Sequence, residues 1–177
     1  MKKTVSLLLA LLLSLSMFTV SAHAEFTEDQ VAQLVMDYLN FESYDYEYNP
    51  DTNTFSLYFP LDCALEYFDV TIFAFDDMIM IDADSPLEFS EELFENAAIF
   101  TTLVNSELYY GHFNADPDFQ QISCRSFLLI KSELPGAAEI ETLLTMLYAY
   151  METYGAGIVA VCRDGADPYA AFEACNE

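Results

Sequence analysis

The chain has no tryptophan, two histidines and, among 177 residues, five lysines and arginines together. Without Trp, the commonest platform for stacking a sugar ring is missing. The scarcity of bases excludes more. Lys2 and Lys3 lie at the very start, so residues 25–177 keep only Lys131, Arg125 and Arg163; these three bases against 30 acids leave a net charge of −27. Such a surface repels phosphate backbones and anionic head groups, which argues against nucleic acid and membrane surfaces as partners. Proteins, basic peptides and cations remain. The chain also lacks a Gly-x-Ser-x-Gly elbow and a papain-like cysteine context, and past residue 24 its one imidazole is His112. No catalytic residue is therefore expected, and no cofactor motif is present.

What the chain does have begins at residue 1. Met1-Lys2-Lys3-Thr4, the apolar run Val5 to Val20 and Ala22-His23-Ala24 form a basic start, an apolar middle and small residues flanking a cut. Residues 1–24 read as a secretory signal peptide, removed to leave residues 25–177 as one domain. The expected location is secreted or extracytoplasmic, in the cell envelope or periplasm, with no membrane insertion once the signal is gone. Although high net charge often means disorder, 54% of residues are hydrophobic and 15% aromatic, so the chain has the material for a core.

All four cysteines, Cys63, Cys124, Cys162 and Cys175, fall in the exported part, where disulfides form. Sequence leaves three pairings open, with buried free thiols as the alternative, since Cys also packs as a small apolar residue. Cys162–Cys175 closes the shortest loop and would stabilise by roughly 3 kcal/mol in the chain-entropy model, leaving Cys63–Cys124 to link two parts of the sheet. Zinc ligation is disfavoured, because no two cysteines stand close together as finger and ribbon ligands do.

Thr27 and Gln30 form a capping box ahead of Val31, Leu34, Val35 and Tyr38, which predicts a first helix. Tyr44, Tyr46 and Tyr48 alternate with acids up to the turn run Asn49 to Asn53, and Phe55, Leu57 and Phe59 alternate after it, predicting a hairpin. A strand follows from Tyr67 to Phe75. The next runs from Met78 to Ile81, apolar on both sides, and is predicted to be buried on both and to end at Asp82 to Pro86. Ser90 is read as the cap of a second helix carrying Leu93, Ala97, Phe100, Thr101 and Val104. A second hairpin joins Leu108–Phe113 to Gln120–Ile130 around Asn114 to Asp118. Ile140, Leu143, Leu144, Leu147, Tyr148 and Met151 mark a long helix that Gly155 and Gly157 should weaken near Tyr154. Asp167-Pro168 opens a short terminal helix. Strands and helices in separate blocks define an α+β class: a curved antiparallel sheet of about five to six strands with helices packed mainly on one face.

From Asn105 to Phe113 a helix ends near an Asn and Gly111-x-Phe113 opens a hairpin whose return strand carries Arg125. Ser132-Glu133-Leu134-Pro135, a long helix reaching Tyr154, Ala160 to Gly165 and Asp167-Pro168-Tyr169-Ala170-Ala171-Phe172 follow. This arrangement resembles the YbjN-domain family, whose fold is similar to type III secretion chaperones. The resemblance implies a chaperone-like, protein-binding scaffold, with a homodimer as one arrangement open to it, and it carries no active site.

Candidate sites come from the residues themselves. The stripe Tyr44, Tyr46 and Tyr48, with acidic neighbours, could hold an extended basic peptide by strand addition and ring contact, although packing beneath the first helix is the plainer reading of the same alternation. Arg125 is either a ligand contact or half of a structural ion pair. Asp82-Ala83-Asp84 and Asn114 to Asp118 look like the starts of calcium loops. Their sixth and twelfth residues are Leu87 and Leu93, and Phe119 and Arg125, which excludes an EF-hand, so no metal ligand is assigned. Three functions remain: a secreted non-enzymatic protein- or peptide-binding domain, which is the leading reading; a cation-binding acidic envelope protein; and a small hydrolase using carboxylates or His112.

Overall fold

A computed structural model of the chain describes residues 26–176. The expected leader at residues 1–24 lies outside them. The first helix, α1 (Glu28–Phe41), starts at the capping box read from sequence: the Thr27 hydroxyl accepts from the Gln30 backbone N–H at 3.3 Å, and the Gln30 side chain accepts from the Thr27 N–H at 3.0 Å. Strands β1 (Glu47–Asn49), β2 (Thr54–Pro60), β3 (Tyr67–Ala74) and β4 (Met78–Glu88) follow. One 3₁₀ turn then leads into α2 (Phe94–Asn105), and the chain continues through β5 (His112–Asp116), β6 (Gln121–Leu129), α3 (Ala137–Cys162) and α4 (Pro168–Ala174). The six strands form one antiparallel sheet in the order β1-β2-β3-β4-β6-β5. The class is α+β, as the separated blocks predict.

Alternation along each strand sends Phe55, Leu57, Phe68, Val70, Ile72, Ile79, Ile81, Ala83, Ile122 and Cys124 to one face, where all are buried. Helix α3 lies over β4 and β6, α1 over β3, and α2 over β5 and α3. Their apolar stripes, including Val35, Phe100, Ile140, Leu147 and Met151, close the core from that side.

Four expectations change. The first strand of the second hairpin is His112–Asp116 and not Leu108–Phe113, so Asn114 to Asp116 lie within the strand and the turn is residues 117–120. Strand β4 does not stop at Asp82 but runs to Glu88. Asp82 and Asp84 point to the other face of the sheet, and Pro86 sits where the β3 ladder has ended and the register with β6 shifts between Asp84 and Glu88, so no ladder hydrogen bond is lost to it. Nor is β4 buried on both sides, because Met78 and Met80 are only half-buried while Ile79 and Ile81 are fully covered. Finally, Ser90 caps the 3₁₀ turn without a side-chain hydrogen bond, and α2 proper begins four residues later at Phe94.

The predicted disulfides are also absent; Cys63, Cys124, Cys162 and Cys175 are free thiols. The Cys175 sulfur packs where a Cβ on Gly157 would lie, at 2.8 Å. Cys162 is five residues further along α3, which is about 7.5 Å of rise and roughly 140° of rotation, so the two thiols face different surroundings. Cys63 packs against Gly155 and donates to the Met151 carbonyl at 3.9 Å, whereas Cys124 sits between Ala83 and Phe113 on the core face of the sheet. Burial pushes the Cys162 thiol up to about 12, and burial followed by the Asp82 charge pushes Cys124 up further, which keeps both unreactive.

Helix α3 is unbroken past Tyr154, and its two glycines mark places where other side chains approach its backbone closely. A Cβ on Gly155 would lie 2.5 Å from the Cys63 sulfur, and one on Gly157 would lie 2.5 Å from the ring of the fully buried Phe100. In an exposed helix Gly→Ala stabilises by about 1 kcal/mol. Here Gly157→Ala should reverse that sign and cost roughly 1–3 kcal/mol through overpacking, seen as a lower urea midpoint; a raised midpoint would show that α2 and α3 are not in this contact.

Candidate functional site on the open face of the sheet

The helices leave the second face of the sheet uncovered, and strand register fixes what lies on it. One row across the strands reads Ser56, Thr71, Asp82, Arg125 and His112. A neighbouring row reads Tyr58, Asp69, Asp84, Ser123 and Asn114. On the other side of the first row lie Phe73, Met80 and Phe127, followed by Met78 opposite Leu129. Phe73 and Phe75 add parallel rings, with centroids 6.2 Å apart. Phe127 is 51% exposed and Leu129 56%, so the face carries an apolar band in contact with water beside an acidic one.

The centre of the face is held by Arg125. Its Nε donates to Asp82 Oδ1 at 2.6 Å and its Nη2 to Asp82 Oδ2 at 2.7 Å, a two-point fork between neighbouring strands. The Asp82 side chain is 11% exposed and that of Arg125 44%. The hydrogen bond to Asp82 holds the guanidinium above its ordinary range. Asp84 has no such partner. Burial first, then the charges of Asp82 and Asp69, hold its carboxyl up at about 6, with Arg125 acting in the opposite sense.

A shallow hollow of about 310 Å³ opens at the β1–β3 end of this face, lined by Asp45, Tyr46, Glu47, Tyr58 and Asp69. Tyr58 is 60% exposed, and its ring stacks on Tyr67 with centroids 5.0 Å apart. A second, more apolar hollow of about 390 Å³ lies in the helix layer among Phe94, Ala98, Ile99, Leu103 and Tyr169. Among the described residues no group of three or more His, Cys, Asp and Glu side chains could hold a metal ion.

The sequence-derived candidates are split between the two sides of the sheet. Arg125 is on the open face, in an ion pair. Tyr44, Tyr46 and Tyr48 pack against the core, with Tyr44 on Phe59 at 5.7 Å, Tyr46 on Phe55 at 5.7 Å and Tyr48 on Phe55 at 4.7 Å. Two of their hydroxyls are taken up within the protein, Tyr46 donating to Asn40 at 3.2 Å and Tyr48 to Asn53 at 2.7 Å. His112 and Cys124 belong to neighbouring strands, but His112 pairs in register with Arg125 and shares its open face, whereas Cys124 faces the core. Tyr58, Asp69, Met80 and Phe127 were missed as surface residues; their signal was the set of positions left over after each strand's buried face was assigned.

Asn105 explains the helix-to-hairpin pattern. Its side chain accepts from the Phe113 N–H at 2.7 Å and donates to the Phe113 carbonyl at 2.9 Å, tying the end of α2 to edge strand β5. Gly111 has φ +70, and a Cβ there would lie 2.9 Å from the Arg125 carbonyl oxygen, so glycine is required on both counts. Phe113 then enters the core edge-on to Tyr154, with ring centroids 5.9 Å apart.

No family model matches the chain, and no curated protein does. Among solved structures it is similar to the crystal structure of YbjN from E. coli, with a TM-score of 0.52 and 10% sequence identity over 76% of this chain and 89% of that one. The protein thus has a YbjN-like fold. No helix among the described residues is long and apolar enough to cross a membrane.

Asp84 gives the site a pH signature. Between the usual carboxylate value of 3.8 and about 6, the folded protein holds a proton that the unfolded chain has released, so stability falls as pH rises through that window. Asp84→Asn should flatten the fall and be more stable than the wild type by about 1 kcal/mol at neutral pH, water still screening part of this side chain. Urea titrations at a series of pH values test this, and parallel curves for the two proteins would remove Asp84 as the cause.

Proposed function

We propose that the protein is an extracytoplasmic, non-enzymatic, chaperone-like binding domain that holds another polypeptide on the open face of its sheet. The observation that carries this reading is the band of Phe73, Met78, Met80, Phe127 and Leu129 on a face that no helix among the described residues covers. A contiguous apolar patch rimmed by polar groups is what a protein interaction site looks like before its partner arrives. The YbjN-like fold is consistent with a scaffold of this kind. His112 lines neither of the two hollows and sits on an exposed edge strand, which favours binding over hydrolysis. The leader-like pattern read in residues 1–24 is the reason for placing the site of action outside the cytoplasm. The net charge of −27 on residues 25–177 supports a protein or basic peptide as the partner; a second copy of the chain is the alternative occupant.

Residues 25–177, purified and immobilised, should capture a partner from the culture supernatant or envelope fraction. Capture should be lost in Phe127→Ser and Leu129→Ser and kept in Leu103→Ser, which alters the helix-layer hollow instead. Retention should also weaken in moderate salt, because exposed charges are screened beyond about 8 Å at physiological ionic strength. Capture that survives both open-face substitutions would place the interaction elsewhere.

The location has its own test. In the native host the exported protein should begin at Glu25 by N-terminal sequencing. Recovery of the full chain, still starting at Met1, from the cytoplasmic fraction would overturn the extracytoplasmic reading.

A further inference from the structure

The open face has two parts in fixed relation, and that relation defines what could lie on it. In β3, Phe73 and Asp69 are four residues apart on the same face; in β4, Met80 and Asp84 repeat the offset. Register places Phe73 beside Met80 and Asp69 beside Asp84, so an apolar row and a carboxylate row run parallel about 13–14 Å apart. Between them Asp82 is neutralised by Arg125. The uncompensated negative charge therefore lies at the Asp69–Asp84 end, where Tyr58 is directly opposite Asp69 and where Asp45 and Glu47 line the hollow.

We propose that the occupant of this face is an extended cationic and apolar polypeptide segment lying along the strands. Its large apolar side chains cover Phe73 and Met80 and reach Phe127 on the next strand, and a Lys or Arg about four residues away sits over Asp69 and Asp84, beside Tyr58. Charge complementarity selects the cation: an ammonium or guanidinium there meets carboxylates and the exposed face of a tyrosine ring together. An extended backbone matches the spacing, because four residues of strand cover the distance between the rows. A second copy of this chain is disfavoured, since it would bring 30 acids to an acidic surface. This inference rests on the proposed function and specifies its partner.

Fluorescent synthetic peptides on a Ser/Thr background test the proposal by anisotropy against residues 25–177. The first carries a Phe-x-Leu pair with Lys four residues on, the second has the same composition with Lys next to the pair, and the third has Glu in place of the spaced Lys. The first peptide should bind at least about fivefold more tightly than either of the others, the scale of one partly exposed charge contact. Asp69→Asn should weaken the first peptide and strengthen the Glu peptide, so that the advantage disappears, and Phe127→Ser should weaken all three peptides. Equal binding of all three, lost in Phe127→Ser, would overturn the charge and spacing claim and leave the open-face function standing. Failure of every peptide, while a natural partner is still captured and is lost in Phe127→Ser, would do the same. Peptide binding and partner capture that are both indifferent to Phe127→Ser and Leu129→Ser would overturn the inference and the proposed function together.

Discussion

Helices cover one face of a six-stranded sheet, and the period-two alternation of the strands turns that asymmetry into a sorting rule. Each strand must place one set of side chains against α1, α2 or α3 and leave the other set to the solvent. In β4 the rule separates Ile79, Ile81 and Ala83 from Met80, Asp82 and Asp84. A slip of one residue would bring Asp82 and Asp84 into the core and push the isoleucines out, at a cost of several kcal/mol for the charges alone. The Asp82–Arg125 fork lies on the same register between β4 and β6, so the alignment that buries the core also sets up the open face.

The helix layer is fastened to the sheet by contacts that depend on small or amide side chains. Asn105 satisfies both backbone groups of Phe113, which belongs to edge strand β5. Gly155 and Gly157 let Cys63, Leu65, Phe100 and Cys175 approach the backbone of α3. Tyr154 then stacks on Phe172, joining α4 to the same cluster. These contacts account for the sequence pattern from Asn105 to Phe172: the fold needs an amide, a left-handed glycine and a buried ring at those points.

Much of the fold was legible in the sequence because local chemistry and tertiary demand agree. The Thr27–Gln30 box, the Asp167 cap with Pro168 behind it, the 49–53 turn and the 3.6-residue stripe of α3 are all local signals, and each marks its element. Apart from local shifts such as the 3₁₀ turn behind Ser90, the misreadings arise where the deciding contact lies far away in the chain. Asp82 and Asp84 look like a strand end until Arg125 is set opposite; Gly155 and Gly157 look like helix breakers until Cys63 and Phe100 are packed on them; and Cys162 and Cys175 look like a bridge until the turn of α3 separates them. The candidate site was half legible. Arg125 was singled out, but Tyr44, Tyr46 and Tyr48 drew attention to the core side because three alternating aromatics form a louder pattern than Tyr58, Phe73 and Phe127 spread over three strands.

The central claim is that the uncovered face of the sheet is where the partner binds. Methyl NMR reads it most directly, using protein labelled at Met and Leu methyls and titrated with the captured partner. Met78 and Met80 report the open face with Leu129, Met151 and Leu147 report the core, and Leu103 reports the outer side of α2. The account predicts that Met78, Met80 and Leu129 shift or broaden at the lowest partner concentrations while Met151, Leu147 and Leu103 hold their positions. Perturbation confined to Leu103, with Met78, Met80 and Leu129 unchanged, would contradict it.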